Sequence, residues 1–470
     1  MGFLFILSII PVRFLDERSS IPAPTEIIQH KKDRNQFKEK RKEWMENMHR
    51  AAPGVDWEKI DQRSRQIKID QKTKNRKELQ TRGLLSKNKS TNSLTIMIRD
   101  VPGQWFERGS NNLAGRIRTA DVDFANDIIY CASSGGNIWR GNMAGTGWES
   151  LNDYFQITGV HFLKRFEIGG QYRLLVVNGK QCYRSDNDGL IIDAAEGLNS
   201  FQSWGWIFRG VMKNDPQKTI YLGVIEWDYA VWTYLPTIYK STDGGITFTR
   251  ILELTSTNGF TVGTSHFDIW ASPVDEGDVY VLNDGTCYIL SPNDDLMFVG
   301  EFSPTESGNN ILVGGTNNGE TFLHCRVGGQ LYSSMNGGST WSAKGDLPSG
   351  TFTINSFECA PNDPDNLVIG NIDGYKTSNG GNSWNLINYW WEYYSAPETK
   401  LHADLPDFSY FIDPGTGDEF QLISTDGGIY ISYDQFNSVQ NISMSGLGVS
   451  QYYSTYTSRN EPYHVYAGSQ

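Results

Sequence analysis

The start of the chain has a hydrophobic pattern unlike that of the remainder. Residues 2–12 form a short apolar run, and polar residues follow at 16–20. The run is too short to cross a bilayer as a helix, and it is typical of the hydrophobic part of a secretory signal. We therefore predict that residues 1–22 are a signal or targeting segment and that the protein is secreted or held at the outer cell surface, without a transmembrane span. A buried apolar strand at a domain edge is the alternative interpretation.

The pattern then changes to one that predicts a basic helix. Over residues 26–50 the large apolar side chains fall on one helical face, with Lys, Arg and Glu around them; they are Phe37, Trp44, Met45 and Met48. An Ala-Pro-Gly sequence at 52–54 ends the helix, and residues 55–92 are charged and finish in a linker rich in Ser and Asn. We predict that residues 23–99 form a charged helical segment and linker, either solvated or packed along the rest of the chain.

From about residue 100, strand-like apolar runs alternate with Gly-containing turns, and three turns share one pattern. They align without gaps as Ser/Thr-x-Asp/Asn-x-Gly-x-Ser/Thr-aromatic, at residues 241–248, 334–341 and 377–384. This is the Asp-box, in which the Asp or Asn side chain accepts hydrogen bonds from turn amides and the Gly pair permits positive φ. Asp243, Asn336 and Asn379 are therefore predicted to be structural residues, away from any active centre.

The spacing of these turns predicts the number of blades in a propeller. Including weaker copies near 145–148, 185–189 and 432–434, neighbouring turns mostly lie 43 to 56 residues apart, an interval that suits one four-stranded blade. The longer gap between Ser241 and Ser334 holds an extra blade without a box, at residues 260–300. We predict an all-β fold, a seven-bladed β-propeller with Asp-box repeats, over residues 100–450.

Several landmarks outside the boxes resemble a known family. They lie at residues 49–57, 112–123, 129–139, 425–430 and 465–470. Together they resemble bacterial exported Asp-box (BNR-type) proteins with sortilin-like propellers, which often occur in pairs. The resemblance covers roughly residues 40–470, and it implies an exported propeller. Residues 451–470 are expected to begin a further blade or a second propeller in a truncated chain.

Two-propeller endo-glucanases of the xyloglucanase type have the same build. Their first blade resembles Thr-Asp-x-Gly-Gly-x-Tyr-Arg-Trp, in which the Asp is the catalytic base, whereas this chain has Ser-Ser-Gly-Gly at 133–136. Hydrolysis of the usual kind needs two carboxyl groups at one glycosidic bond, and the second would lie in a second propeller. We therefore predict a non-catalytic propeller that binds glycan or protein, with no catalytic residue assigned. The alternative is a glycoside hydrolase whose second propeller is missing from this sequence.

Two aromatic insertions and one polar cluster are the candidates for binding. The insertions lie at 227–234 and 389–394, and aromatic faces stack on sugar rings. His402 and Asp404 precede Asp426 by one strand and a turn, so we expect them to converge near a propeller mouth and bind a cation or a sugar hydroxyl. Packing between blades and a structural corner are the alternative interpretations. The predicted binding residues are Trp232, Tyr234, Trp390, Trp391, His402, Asp404 and Asp426.

The uneven distribution of charge limits the classes of partner that the chain is expected to bind. Residues 1–99 hold 22 Lys and Arg against 12 Asp and Glu, whereas the rest of the chain holds 19 against 42. An acidic body repels nucleic acid, and it suits cations, neutral sugars or basic partners, although solubility alone also explains it. We expect a polysaccharide, a cell-surface protein or a second propeller domain as partner, and no nucleic acid.

The five Cys lack any CxxC pair, so we predict that they are buried free thiols, with one disulfide as the alternative. We also predict no cofactor and no metal, beyond a structural cation such as calcium.

Overall fold

The computed structural model describes residues 112–450, except 199–204, 229–231, 255–266, 284 and 307. Isolated positions before residue 112 and the backbone of three short strands outside this range are described as well. The chain divides into two compact units, Met1–Gly83 and Leu84–Gln470. The predicted signal segment, and the helix at 26–50 except Glu39 and Lys40, lie outside the described residues. No helix in the described part is long and apolar enough to cross a membrane.

Seven antiparallel sheets follow one another along the second unit, each built from four consecutive strands, and we number them blades 1 to 7. A short strand β1 (Ser93–Leu94) pairs with the last strand of blade 2. Blade 1 contains β2 (Ile117–Asp123), β3 (Ile128–Ser133), β4 (Ile138–Asn142) and β5 (Glu149–Ser150). Blade 2 contains β6 (Val160–Ile168), β7 (Gln171–Asn178), β8 (Cys182–Ser185) and β9 (Ile192–Ala194). Blade 3 contains β10 (Trp206–Met212), β11 (Ile220–Asp228), β12 (Thr233–Ser241) and β13 (Thr249–Glu253).

The remaining blades repeat this order. Blade 4 contains β14 (Phe267–Ala271), β15 (Val279–Asn283), β16 (Thr286–Leu290) and β17 (Leu296–Glu301), and blade 5 contains β18 (Asn310–Asn317), β19 (Glu320–Val327), β20 (Gln330–Ser334) and β21 (Ser342–Asp346). Blade 6 contains β22 (Phe357–Cys359), β23 (Leu367–Gly370), β24 (Gly374–Thr377) and β25 (Asn385–Asn388), and blade 7 contains β26 (Asp407–Ile412), β27 (Glu419–Thr425), β28 (Gly428–Ser432) and β29 (Gln440–Asn441). Two further strands, β30 (Ser454–Thr457) and β31 (Val465–Gly468), pair with each other in a separate sheet.

This arrangement confirms the predicted all-β, seven-bladed propeller. The first strand of each blade lies innermost, since the first strands of neighbouring blades contact one another around the ring. Short 3-10 helices occur in two of the connections between blades, at Ile354–Ser356 and Trp390–Ser395. The blade without an Asp-box is blade 4, close to the residues predicted for it.

Seven apolar clusters hold the ring together, one between each pair of neighbouring blades. Each blade is therefore covered on both faces, which explains why its middle strands are continuous apolar runs rather than alternating ones. All five residues of β15, for example, are buried. The five Cys are buried within these clusters as free thiols, as predicted, and burial raises the pKa of the Cys131 thiol.

Blades 7 and 1 close the ring without exchanging a strand. The apolar cluster between them joins Ile129 of blade 1 to Leu422 of blade 7 and to residues after β29, among them Val449. The backbone N–H of Gly115 donates to the carbonyl of Val449 at 2.8 Å, and the Trp148 indole donates to the carbonyl of Ile442 at 3.2 Å. Side-chain packing and a few hydrogen bonds thus join blade 7 to blade 1 in place of a shared strand.

The antiparallel order gives the propeller two different faces. The turns between the first and second and between the third and fourth strands of a blade lie on one face, which carries the box turns and which we call the box face. The turns between the second and third strands, and the connections from one blade to the next, lie on the opposite face, which we call the connection face. Loops on one face of such a scaffold commonly carry function.

The box turns make the expected side-chain hydrogen bonds. One carboxylate oxygen of Asp243 accepts from the backbone N–H groups of Ile246 and Thr247, at 2.9 and 3.0 Å. Asn336 and Asn379 each accept a backbone N–H four residues later, at 2.9 and 3.0 Å. Partial burial acts to raise the pKa of Asp243, but the hydrogen bonds outweigh it and hold that pKa below its ordinary value.

The second glycine of each box also lies against the preceding blade. Gly338 has φ +89°, and a Cβ built there would lie 2.6 Å from the Sγ of Cys287 in blade 4. Blade 7 has Phe436 at the corresponding position, with φ +58° and its buried ring among those of the cluster between blades 6 and 7. A glycine is therefore required where atoms of the neighbouring blade occupy the position of a Cβ. An aromatic residue with positive φ is tolerated in blade 7, where its own ring fills that position.

We expect Gly338→Ala to lower the free energy of unfolding by about 3 kcal/mol, because positive φ and overpacking against Cys287 add together. Gly319→Ala is the matched control in the same blade: its φ is +82°, but no atom lies within 4 Å of a built Cβ, so only the backbone cost of about 1 kcal/mol applies. Urea unfolding of both variants measures the difference. Equal losses would show that contact with blade 4 contributes nothing.

Candidate functional site: the connection face

The connection face carries all the residues that the sequence indicates for binding. Trp232 immediately precedes β12 of blade 3, Tyr234 lies near the start of that strand, and Asp426 lies in the middle turn of blade 7. The connection between blades 6 and 7 carries the others, Trp390, Trp391, His402 and Asp404. The box residues Asp243, Asn336 and Asn379 lie on the opposite face.

An aromatic platform projects from the connection between blades 6 and 7. We define it by Tyr389, Trp390, Trp391 and Tyr394, which are 45%, 37%, 52% and 70% exposed. The rings of Tyr389 and Trp391 stack at 4.3 Å and 10°, and Trp390 lies edge-on to Trp391 and Tyr394. The backbone N–H of Trp390 donates to the carboxylate of Asp373 at 2.7 Å, which anchors the start of the 3-10 helix. The platform is therefore an ordered, solvent-facing group of rings.

A second group of rings follows the middle hairpin of blade 3. Trp227 lies edge-on to Tyr234 at 4.8 Å, and Tyr234 packs against Trp206 at 5.3 Å. Trp232, at the tip, is 74% exposed and adopts φ +54°, a conformation uncommon for a bulky residue. The hairpin is long because β11 and β12 each have nine residues. Blades 3 and 6 are not neighbours, and no ring contact joins the two groups among the described residues.

Two of the predicted polar residues, Asp404 and Asp426, contact Arg116, which the sequence did not indicate as a site residue. Arg116, at the start of blade 1, forms a bidentate ion pair with Asp426 and lies 3.4 Å from Asp404. Burial and the neighbouring carboxylate of Asp426 raise the pKa of Asp404, and Arg116 acts in the opposite direction. His402 also acts to lower the pKa of Asp404, and its ring lies 4.5 Å from that of Tyr393 and 6.4 Å from that of Tyr394 in the platform. Asp404 and Asp426 therefore hold an arginine, and they fasten blade 7 to blade 1.

Arg116 also reaches a loop from the far side of the ring. Its guanidinium lies 5.1 Å from the ring centre of Phe352, in the connection between blades 5 and 6. In the same connection, the Asn355 side chain donates to the carbonyl of His161 in blade 2 at 2.7 Å and accepts from Arg209 in blade 3 at 3.2 Å. This connection therefore contacts blades 1, 2 and 3 over the centre of the ring at the connection face.

At the centre of the ring, a channel of about 160 Å³ is lined by the first strands of all seven blades. Two cations that line it are paired with buried carboxylates of the innermost strands: the Lys164 ammonium lies 3.1 Å from Asp121, and Arg209 lies 3.1 Å from Asp268. Glu358 and Asp407 also line it, and neither has a cationic partner within ion-pair distance among the described residues. Burial raises the pKa of each of these two carboxyls to about 7. Within the described residues no group of three or more His, Cys, Asp or Glu could hold a metal ion.

The comparisons with known proteins concern the fold. No protein-family model matches the chain, and no curated protein matches it. Similar solved structures include the extracellular domain of BT4673 from B. thetaiotaomicron, at 12% identity and TM-score 0.49, covering 69% of this chain and 40% of that one. An ancestral GH74 enzyme has 15% identity and TM-score 0.48 over 74% of this chain and 48% of its own. YCF48 from Cyanidioschyzon merolae has 14% identity and TM-score 0.44 over 69% and 97%. The chain thus spans less than half of the first two.

We expect Arg116→Ala to lower the free energy of unfolding by about 2 kcal/mol, because it leaves two partly buried carboxylates without a cation. Lys400→Ala is the control: this side chain is 37% exposed and pairs with Glu392, which is 34% exposed, so its loss should change stability by about 0.5 kcal/mol or less. Chemical unfolding monitored by tryptophan fluorescence measures both. A loss for Arg116→Ala no larger than for the control would show that the ion pair does not hold the ring closed.

The channel carboxyls predict a pH dependence of stability. Because their folded pKa lies above the unfolded value of about 4, the unfolded chain ionises first, and stability falls as pH rises from about 4 to about 7. The double variant Glu358→Gln, Asp407→Asn removes this term. We expect it to be more stable than the wild type at pH 8, by about 1–3 kcal/mol, and to lose that advantage at pH 4. An identical pH profile for the two proteins, measured by calorimetry, would contradict the assignment.

Proposed function

We propose that this protein is an exported, non-catalytic propeller that binds a neutral polysaccharide through its connection face. The aromatic platform is the observation that carries the proposal. Its rings present broad apolar faces to solvent at the place where a propeller displays its loops, and such faces stack on sugar rings. A formal net charge of −13 disfavours an anionic polymer, whereas a neutral glycan is indifferent to it.

The setting of the carboxylates supports binding without hydrolysis. The blade 1 turn at 133–136 carries no acid, and the Ser133 hydroxyl within it accepts the backbone N–H of Asn137. Asp404 and Asp426, which lie on the same face as the platform, are both engaged by Arg116. Glu358 and Asp407 lie in the channel rather than on the open face. A glycosidase needs an acid and a base free to face one bond. The hydrolase alternative would require carboxylates from a second propeller.

Affinity electrophoresis against xyloglucan, arabinoxylan, galactomannan and laminarin tests the proposal. We expect one or more of these neutral glycans to retard the wild type, and Trp391→Ala to weaken binding by about tenfold, because a lost stacking contact costs about 1.4 kcal/mol. Tyr433→Ala is the matched control, since Tyr433 is 63% exposed on the box face.

Three results would contradict this function. No retardation of the wild type by any glycan would remove the ligand class and favour a protein partner. Equal weakening by Trp391→Ala and Tyr433→Ala would remove the platform as the site. Release of reducing sugar from a bound glycan would instead support the hydrolase alternative.

A further inference from the structure

A cleft of about 370 Å³ opens on the connection face, apart from the aromatic platform. Its walls come from the starts of the first strands of blades 3, 4 and 5 and from the connection between blades 5 and 6. The residues that matter for its chemistry are Trp206, Phe352, Asn309 and Thr351. Its volume is in the range of ordinary ligand sites.

The lining of this cleft is aromatic and neutral. None of the described residues that line it carries a charge. Asn309 is exposed, and neither its amide nor the Thr351 hydroxyl bonds to another described residue. An aromatic wall beside unengaged amide and hydroxyl groups matches a sugar ring, which has apolar faces and a rim of hydroxyls. A purely apolar ligand would leave those polar groups unpaired, and a charged ligand would find no counter-charge.

The aromatic walls are held in place before any ligand arrives. The backbone N–H of Phe352 donates to the carbonyl of Gly370 at 3.0 Å, and Arg116 lies over its ring. Trp206 packs against Tyr234, in the ring group of the blade 3 hairpin. Because both rings are anchored from outside the cleft, binding costs little reorganisation.

We propose that this cleft binds sugar rings of the neutral glycan, with Trp206 and Phe352 in contact with ring faces and with Asn309 and Thr351 hydrogen-bonded to hydroxyls. The inference rests on the proposed function for the class of ligand, but it assigns a site distinct from the platform. The platform then binds another part of the same glycan, or it increases the retention of the glycan on the connection face.

The test uses the full chain and the glycan of the panel that retards it most, with affinities measured by isothermal titration calorimetry. We expect the double variant Asn309→Ala, Thr351→Val to weaken binding at least tenfold, because both groups that would hydrogen-bond the glycan are removed. The melting temperature of this variant should stay unchanged. Phe352→Ala should weaken binding by a similar factor. Asn293→Ala, an exposed Asn on the box face, is the control and should leave the affinity as it is.

The outcomes separate this inference from the proposed function. Weakening by the cleft variants, with the control unaffected, supports the cleft. Wild-type affinity in the double variant, together with weakening by Trp391→Ala, overturns the cleft and leaves the proposed function standing. Absence of binding to every glycan by the wild type overturns the proposed function, and the cleft assignment fails with it.

Discussion

Burial of both faces of every blade is the constraint on which this structure depends. A four-stranded sheet with two apolar faces cannot stand alone in water, and here each face is covered by the next blade through one of seven apolar clusters. The covering has to continue around the ring, since an uncovered face at either end would expose a whole cluster. The junction of blades 7 and 1 is therefore the critical one, and it relies on packing around Ile129 and Leu422, without a shared strand.

The same constraint explains the different character of the two faces. On the box face, short turns pack against the preceding blade, so glycine is required at Gly338. The side chains of Asp243 and Asn336 form hydrogen bonds within their own turns. On the connection face, the chain has to travel from one blade to the next and has room for insertions. The aromatic platform, the blade 3 hairpin tip and the cleft all lie there, which is why binding is proposed for that face.

One connection links these features. The connection between blades 5 and 6 reaches over the centre of the ring, where Phe352 contacts Arg116 of blade 1 and Asn355 contacts blades 2 and 3. The channel beside this connection is lined by buried acids, whereas the cleft and the platform present neutral and aromatic groups. The carboxylates that appear in the sequence as candidate ligands, Asp404 and Asp426, serve this arrangement by holding Arg116.

The sequence by itself determined the parts of this protein that repeat. Box turns follow from local rules, because the hydrogen bonds of Asp243 reach only three or four residues along the chain, and their spacing was enough to predict seven blades. It also identified the two aromatic insertions, whose composition stands out locally. Only the tertiary structure could decide what Asp404 and Asp426 contact, because their partner Arg116 lies 288 and 310 residues away. For the same reason no local pattern marked Phe352 or the cleft, whose walls come from four segments of the chain that only the closed ring brings together.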